Sequence, residues 1–421
     1  MNERFLVIQL ARFGDLVQTK RLILTLARRG EVHLCLDRSL TSLAGLLFPH
    51  AVLHPLRAHA AGLAPGQGLS AIAADNLPVF AELAACDFSE VYNLNFSGLN
   101  FSLARLFDPD RVRGYVNRDG QETRDTWADM AFRWTRQRGP YGLNLVDFWA
   151  FHAAAPLAPG EVNPAAVPKG GGVGVVLAGR NQRRSLPPEV LGPAASALWS
   201  RKGQGPLYLL GAAGEREAGE AVAAHLPRAA RGAVKNLAGR TDWEGLFDVV
   251  ASLDALLTPD TGTMHLAAHL GTPVHAVFLS SAWCFETGPY GEGHTVWQAT
   301  AECAPCVESR PCDFGVRCLE PFAGKDFLRL LTGRGGEAPH GMACLASRLD
   351  ALGVDYAPER GSAPFAAERA AFRAFLARHL GLADAVSAGA NALTDEFLLE
   401  RDWLGGPDPR RLQQTANGCL P

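Results

Sequence analysis

The stretch that most constrains the fold is residues 253–278, LDALLTPDTGTMHLAAHLGTPVHAVF. An apolar run at Ala255–Leu257 precedes a loop of small and polar residues, a short helical segment, and a second apolar run at Pro273–Phe278. This order predicts strand, loop, helix and strand, which is one unit of a parallel sheet covered by helices. The loop Thr258–Gly262 would then lie at the carboxyl end of a strand, where ligands bind in open α/β sheets.

The start of this short helix is a candidate phosphate site, because free backbone N–H groups and the helix dipole attract anions. Asp260, Thr261, Gly262 and His265 are the candidate residues. The alternative is that Asp260 or Thr261 only caps the helix and that His265 is a buried, hydrogen-bonded histidine. A metal pair of His265 with His269 is disfavoured, because the glutamate of a hydrolytic zinc helix is absent.

The amino terminus has the same organisation. Phe5–Leu10 is an apolar run, Gly14 and Asp15 follow it in a tight loop, and residues 16–29 have helical spacing. Asp15 is placed either to act as a general base at the rim of a cleft or simply to cap the helix. The loop lacks the further glycines of a dinucleotide fingerprint, which argues against an NAD-dependent enzyme.

A second α/β run starts at Val173–Leu177, and two of its loops carry further candidates. Arg180, Arg183 and Arg184 follow that strand and form either an anion site or a solvated surface loop. Glu215 and Glu217 follow the next strand, where one of them would accept hydrogen bonds from ribose hydroxyls or both would serve first-turn helix electrostatics. The sequence thus predicts two Rossmann-like domains facing a cleft, with a helical carboxyl-terminal extension.

The predicted boundaries follow changes in composition. Residues 155–172 are rich in proline and glycine, as linkers between domains are, and residues beyond 333 are rich in Ala, Leu and Arg with helical spacing. Helices are predicted there at Cys344–Leu352, Ala366–Leu380 and Thr394–Trp403. The predicted units are a first domain at 1–160, a linker at 161–172, a second domain at 173–332 and the extension at 333–421.

Four cysteines stand within sixteen residues, at Cys303, Cys306, Cys312 and Cys318. Four thiols suit a tetrahedral structural zinc site, although the second pair is spaced unlike common zinc ribbons. Reduced thiols packing a loop and disulfides are the alternatives.

Charge and hydropathy exclude several classes of protein. The formal net charge is −3, from 40 basic and 43 acidic residues, so bulk nucleic-acid binding and a polybasic membrane patch are not expected. The first residues do not read as a signal peptide, and no uncharged apolar run is long enough to span a bilayer. The cytoplasm is therefore the expected compartment.

Taken together, these motifs resemble glycosyltransferase family 9, the ADP-heptose:lipopolysaccharide heptosyltransferase group, over about residues 4–330. The resemblance rests on the opening strand and Gly-Asp loop at Leu6–Asp15, and on Pro259–Ala268, which is similar to the family's Asp-Thr-Gly-x-x-His-Leu-Ala-Ala motif. Thr287–Gly291 with His294 and the four-cysteine series match further. The Thr-Pro pair usual after the Gly-Asp loop is missing around Thr19, and the basic loop lacks the usual Lys and Trp.

The resemblance implies a GT-B fold and inverting transfer, without a required cofactor, from a nucleotide sugar to a lipid-linked or oligosaccharide acceptor. ADP-heptose and the lipopolysaccharide core are the expected donor and acceptor, with contact at the cytoplasmic face of the inner membrane. A family member with another donor and acceptor, or a non-catalytic sugar-nucleotide-binding scaffold, is the alternative. The implied roles are the base for Asp15, donor and phosphate binding for Gly14, Thr261 and Gly262, a donor-sugar contact for Asp260, and a phosphate contact for Arg184 in place of the family's Lys.

Overall fold

A computed structural model describes residues 3–58, 69–179 and 182–383, together with Leu393 and Phe397. It contains two separate sheets, each flanked by helices, and the chain completes the first before it begins the second. In the described residues no helix is both long enough and apolar enough to cross a bilayer.

The first domain is built on a six-stranded sheet with the spatial order β3-β2-β1-β4-β5-β6. Its strands are β1 (Glu3–Gln9), β2 (Gly30–Asp37), β3 (Val52–Leu56), β4 (Glu90–Asn93), β5 (Val112–Arg118) and β6 (Gln121–Arg124). All pairs are parallel except β5 with β6. Its helices are α1 (Phe13–Gln18), α2 (Lys20–Ala27), α3 (Thr41–Leu47), α4 (Leu69–Ala85), α5 (Gly98–Ala104), α6 (Thr126–Trp134) and α7 (Leu145–Ala150).

The second domain is built on an eight-stranded sheet with the order β14-β13-β12-β11-β10-β7-β8-β9. Its strands are β7 (Val173–Val176), β8 (Leu207–Leu210), β9 (Val234–Asn236), β10 (Ala255–Pro259), β11 (Val274–Phe278), β12 (Thr295–Ala299), β13 (Met342–Leu349) and β14 (Val354–Arg360). Its helices are α8 (Pro188–Arg201), α9 (Arg216–Ala224), α10 (Arg228–Arg231), α11 (Trp243–Ser252), α12 (Gly262–His269), α13 (Cys284–Thr287), α14 (Glu320–Ala323), α15 (Lys325–Leu331) and α16 (Ala366–His379).

The apolar runs in the sequence become fully buried central strands. Every residue of β10 and β11 is buried, as expected of parallel strands covered on both faces. In each sheet the strand order reverses beside the domain's first strand, between β1 and β4 and between β7 and β10. Ligands bind at such switch points, so the loops after β1, β7 and β10 are the positions to inspect.

The extension beyond residue 333 was predicted to be helical, but it also contains the strands β13 and β14. The prediction of a helix at Cys344–Leu352 is wrong, because this segment belongs to β13, which pairs antiparallel with β12 and with β14. Ala/Leu/Arg composition favours a helix, but the exposed edge of β12 supplies a ladder of backbone partners that overrides this preference. The helix predicted at Ala366–Leu380 is confirmed as α16, and Thr394–Trp403 falls outside the continuously described residues.

A buried polar cluster joins the two domains. Arg21 of α2 donates to Asp147 Oδ1 of α7 (2.5 Å) and to the Leu352 carbonyl (2.8 Å). Tyr290 and the Val354 N–H also donate to the Asp147 carboxylate, at 2.6 and 3.0 Å. The bonds to Leu352 and Val354 tie the extension to the first domain. Removing either Arg21 or Asp147 would leave the other as an uncompensated buried charge.

Candidate functional site

Asp15 is the third residue of α1, the helix that begins directly after the short loop following β1. Its Oδ2 accepts a hydrogen bond from the Arg12 N–H at 3.1 Å, so the carboxylate does cap the helix start. Within the described chain, its Oδ1 has no hydrogen-bond partner on the protein. The cap and the general base are therefore compatible readings, because each uses a different oxygen.

The loop after β1 lies directly against the loop after β10 of the other domain. A Cβ atom added to Gly14 would lie 3.3 Å from both Gly262 Cα and His265 Cδ2. A Cβ added to Gly262 would lie 2.2 Å from Cδ1 of Phe13. The two Gly-containing loops that the sequence singled out separately thus form one site between the domains.

Asp260 binds two other residues of the site through one carboxylate oxygen. Its Oδ2 accepts hydrogen bonds from the Arg184 guanidinium and, at 3.0 Å, from the Thr287 hydroxyl. Burial raises the pKa of the Asp260 carboxyl, and Arg184 and Thr287 oppose that rise by stabilising the charged form. The structure thereby joins Asp260 and Arg184, which lie 76 residues apart in sequence.

His265 lies between the two carboxylates of the site. Its Nε2 is 3.8 Å from Asp260 Oδ1, and Asp15 is close enough to influence its titration. Burial lowers the pKa of His265 to about 4, with Asp15 acting in the opposite direction. At neutral pH the imidazole is therefore uncharged, and it adds no positive charge to the site.

The positive potential of the site comes from α12 and from the basic loop. Thr261 is the N-cap of α12 and accepts the Met264 N–H, which leaves the Gly262 and Thr263 N–H groups at the open helix end. Arg183 donates to the Glu308 carbonyl at 2.6 Å, so it is held beside Arg184. Arg180, the third predicted arginine, lies outside the described residues.

Glu215 has a local structural contact. Its Oε2 accepts the Ala212 N–H at 2.6 Å and closes the turn after β8. In the described part of the chain, no hydrogen bond or ion pair connects it with Asp260 or Arg184. The ribose contact predicted for Glu215 remains a prediction.

Three further residues of the site were not identified from the sequence. Thr287 was noted only as part of a matching segment, yet its hydroxyl anchors Asp260. Arg138 of the first domain donates hydrogen bonds of 2.5 to 3.1 Å to the carboxylate of Glu286, the residue before Thr287. Glu308 lies 3.7 Å from Arg184. Single charged or hydroxyl residues give no periodic signal in the sequence, so only their tertiary neighbours identify them.

The four cysteines Cys303, Cys306, Cys312 and Cys318 all line one cavity of ≈ 270 Å³ beside the basic loop, and all four thiols are free. Burial raises the pKa of the Cys318 thiol, and the three neighbouring thiols raise it further. Within the described ranges, however, no three Cys, His, Asp or Glu side chains converge as the ligands of one metal ion must. The thiols are placed around the cavity and not at one point, and the zinc site remains a prediction.

One part of the chain matches a known protein family. Residues 198–314, which include α12 and the loop after β10, match the family model for glycosyltransferase family 9 (heptosyltransferase). Seventy residues are 36% identical to lipooligosaccharide heptosyltransferase 2 of Haemophilus influenzae, covering 17% of this chain and 20% of the relative. Another 76-residue alignment is 37% identical to lipopolysaccharide heptosyltransferase 2 of Salmonella typhimurium, covering 18% and 22%. The alignments thus span about a fifth of the curated relatives.

Solved structures match over a greater length. The E. coli ADP-heptose lipopolysaccharide heptosyltransferase II is similar with a TM-score of 0.51 and 17% identity, over 71% of this chain and 92% of that one. A family 9 glycosyl transferase from Veillonella parvula is similar with a TM-score of 0.53 and 14% identity, over 72% and 88%. At these identities the likeness concerns the fold, and it confirms the predicted GT-B arrangement of two Rossmann-like domains.

Proposed function

We propose that this chain, a member of glycosyltransferase family 9, is an inverting glycosyltransferase that uses a nucleotide diphosphate sugar. The observation that supports the proposal most is the contact of the Asp15 loop with the Asp260–His265 loop across the domain boundary. A base on one domain and an anion-binding helix start on the other are the two parts that such a transfer requires.

In the proposed reaction, Asp15 accepts the proton of the acceptor hydroxyl while that oxygen attacks the anomeric carbon of the donor. The diphosphate leaves on the opposite face of the sugar, which inverts the anomeric configuration. Its developing charge is stabilised by the N–H groups of Gly262 and Thr263 and by Arg184. Asp260 holds Arg184 and contacts the donor sugar, and no metal ion takes part in the proposed step.

The donor in this proposal is ADP-heptose and the acceptor a lipopolysaccharide core or related glycan, with action at the cytoplasmic face of the inner membrane. This part is supported by the heptosyltransferases that the chain resembles. Direct binding measurements decide the nucleotide: ADP is expected to raise the melting temperature more than UDP or GDP at equal concentration. A larger increase in melting temperature with UDP or GDP would contradict the proposal that ADP-heptose is the donor.

The test of the base is Asp15→Asn. The amide oxygen can still accept the Arg12 N–H, so this variant keeps the helix cap and removes only proton acceptance. We expect kcat to fall by roughly 10²- to 10⁴-fold, the range of general-base catalysis, while the thermal shift with ADP stays at the wild-type value. Near-wild-type turnover would exclude Asp15 as the base. Binding of ADP by a wild type that turns over no nucleotide sugar would favour the non-catalytic alternative.

A further inference from the structure

The ring of Phe13 occupies the space in which any other residue at position 262 would place its side chain. A Cβ on Gly262 would lie 2.2 Å from Phe13 Cδ1 and 2.7 Å from Cε1 and Cγ. Cβ atoms in proteins essentially never lie closer than about 3 Å to another heavy atom, so a side chain on residue 262 would overlap the Phe13 ring. The absence of a side chain on Gly262 is therefore required by the first domain, whatever ligand its N–H groups bind.

Phe13 also contacts a second helix of the second domain. Its ring makes an edge contact with Trp243 at the start of α11, with 4.9 Å between centroids. The Trp243 indole N–H donates to the Ser39 carbonyl of the first domain at 3.2 Å. Phe13 thus packs against two helices of the second domain, α11 and α12, and the Trp243–Ser39 hydrogen bond also crosses between the domains.

The next two residues after Phe13 are Gly14 and the proposed base. Gly14 also leaves no spare room, because its own Cβ would meet Gly262 Cα and His265 Cδ2 at 3.3 Å. The backbone that carries Asp15 is therefore seated directly on the first turn of α12. A change in this contact shifts Asp15 relative to the donor loop, and a misplacement of about 1 Å can cost on the order of 10²-fold in rate.

We propose that Phe13 and Gly262 form a ring-on-glycine pair that fixes the separation between the base loop and the donor loop. Phe13 is then a positioning residue for the proposed transfer: it contacts neither reacting atom and acts through the placement of Asp15. The inference rests on the proposed function for its kinetic consequences, whereas the packing of the pair is a property of the folded chain alone.

The test is a size-compensation cycle with the variants Phe13→Ala, Gly262→Ala and the double variant. Phe13→Ala should lower kcat with ADP-heptose by at least about tenfold while donor KM changes by less than about threefold, and Phe13→Leu should retain more activity. Gly262→Ala should lower both kcat and the melting temperature, because its methyl group overlaps the ring. The kcat of the double variant should be about tenfold or more above that of Gly262→Ala, since Phe13→Ala removes the ring that the methyl group overlaps.

A matched control is Gly98→Ala. Gly98 is also the first residue of a helix with a hydroxyl N-cap, but no atom lies within 4 Å of its added Cβ. Gly98→Ala should leave kcat and melting temperature unchanged.

A double variant that is no more active and no more stable than Gly262→Ala alone would overturn the proposal and assign Gly262 to ligand contact only. The melting temperatures report the coupling even if the wild type shows no transfer, so failure of the proposed function and failure of the pair are distinguishable.

Discussion

Single residues in the cleft owe their charge states to burial more than to their neighbours. His265 is 6% exposed and keeps a neutral ring, although the Asp15 carboxylate favours its protonation. Desolvation of the charged imidazole, together with repulsion from Arg184, outweighs the attraction of Asp15. The sequence identified His265 as a candidate because of its position in a motif, but it could not indicate whether the ring is charged.

The pKa of His265 leads to a prediction about acid stability. Its folded pKa of about 4 lies below the unfolded value of 6.5, so the unfolded chain binds this proton first and stability is lost as pH falls from 6.5 towards 4. Between pH 7.5 and 5 the wild type should lose about 2 kcal/mol more stability than His265→Gln, as measured by urea unfolding. Equal losses in the two proteins would mean that the ring is solvated in the folded state.

At the scale of elements, most strands and helices around the site were predictable. Apolar runs at residues 5–10, 173–177 and 273–278 became β1, β7 and β11, because a buried parallel strand needs unbroken apolar sequence. The failure at β13 has the opposite cause. Its residues have no strong strand pattern, and the segment is a strand because the edge of β12 pairs with it.

The β13–β14 turn gives a prediction at this scale. Gly353 has a φ of +146°, and an added Cβ would lie 1.9 Å from the Asp147 carboxyl carbon. Gly353→Ala should therefore cost at least about 3 kcal/mol of unfolding free energy, from backbone strain and overpacking together. The control Gly203→Ala has a φ of +88° with open space around it and should cost about 1–2 kcal/mol. Similar costs at the two positions would show that Asp147 moves aside.

At the scale of the whole molecule, α16 holds the two domains together. Phe372 of α16 follows the second sheet in sequence, yet its fully buried ring packs against Trp134 and Tyr141 of the first domain at 5.3 and 5.2 Å. From the same helix, Arg373 binds Asp350 in the β13–β14 turn at 2.6 Å. The segment predicted as an extension is thus a structural link between the two domains.

Phe372→Ala should destabilise the protein by about 3–5 kcal/mol, the usual cost of removing a buried phenyl ring. The comparison is Phe96→Ala, whose ring is 62% exposed and should cost about 1 kcal/mol or less. Both are measured by thermal or urea unfolding. A cost for Phe372→Ala as small as that for Phe96→Ala would mean that α16 does not hold the domains together.

The sequence by itself determined the two α/β domains, the loop after β1 and the loop after β10. These features are encoded locally, as apolar runs of strand length, glycines at tight loops and an N-cap threonine, so short windows are enough to identify them. Only the tertiary structure decided which residues meet: Arg184 with Asp260, Phe13 with Gly262, and α16 with the first domain. Such pairs are far apart in the chain, and their energies arise from burial and close packing, which exist only once both domains have folded.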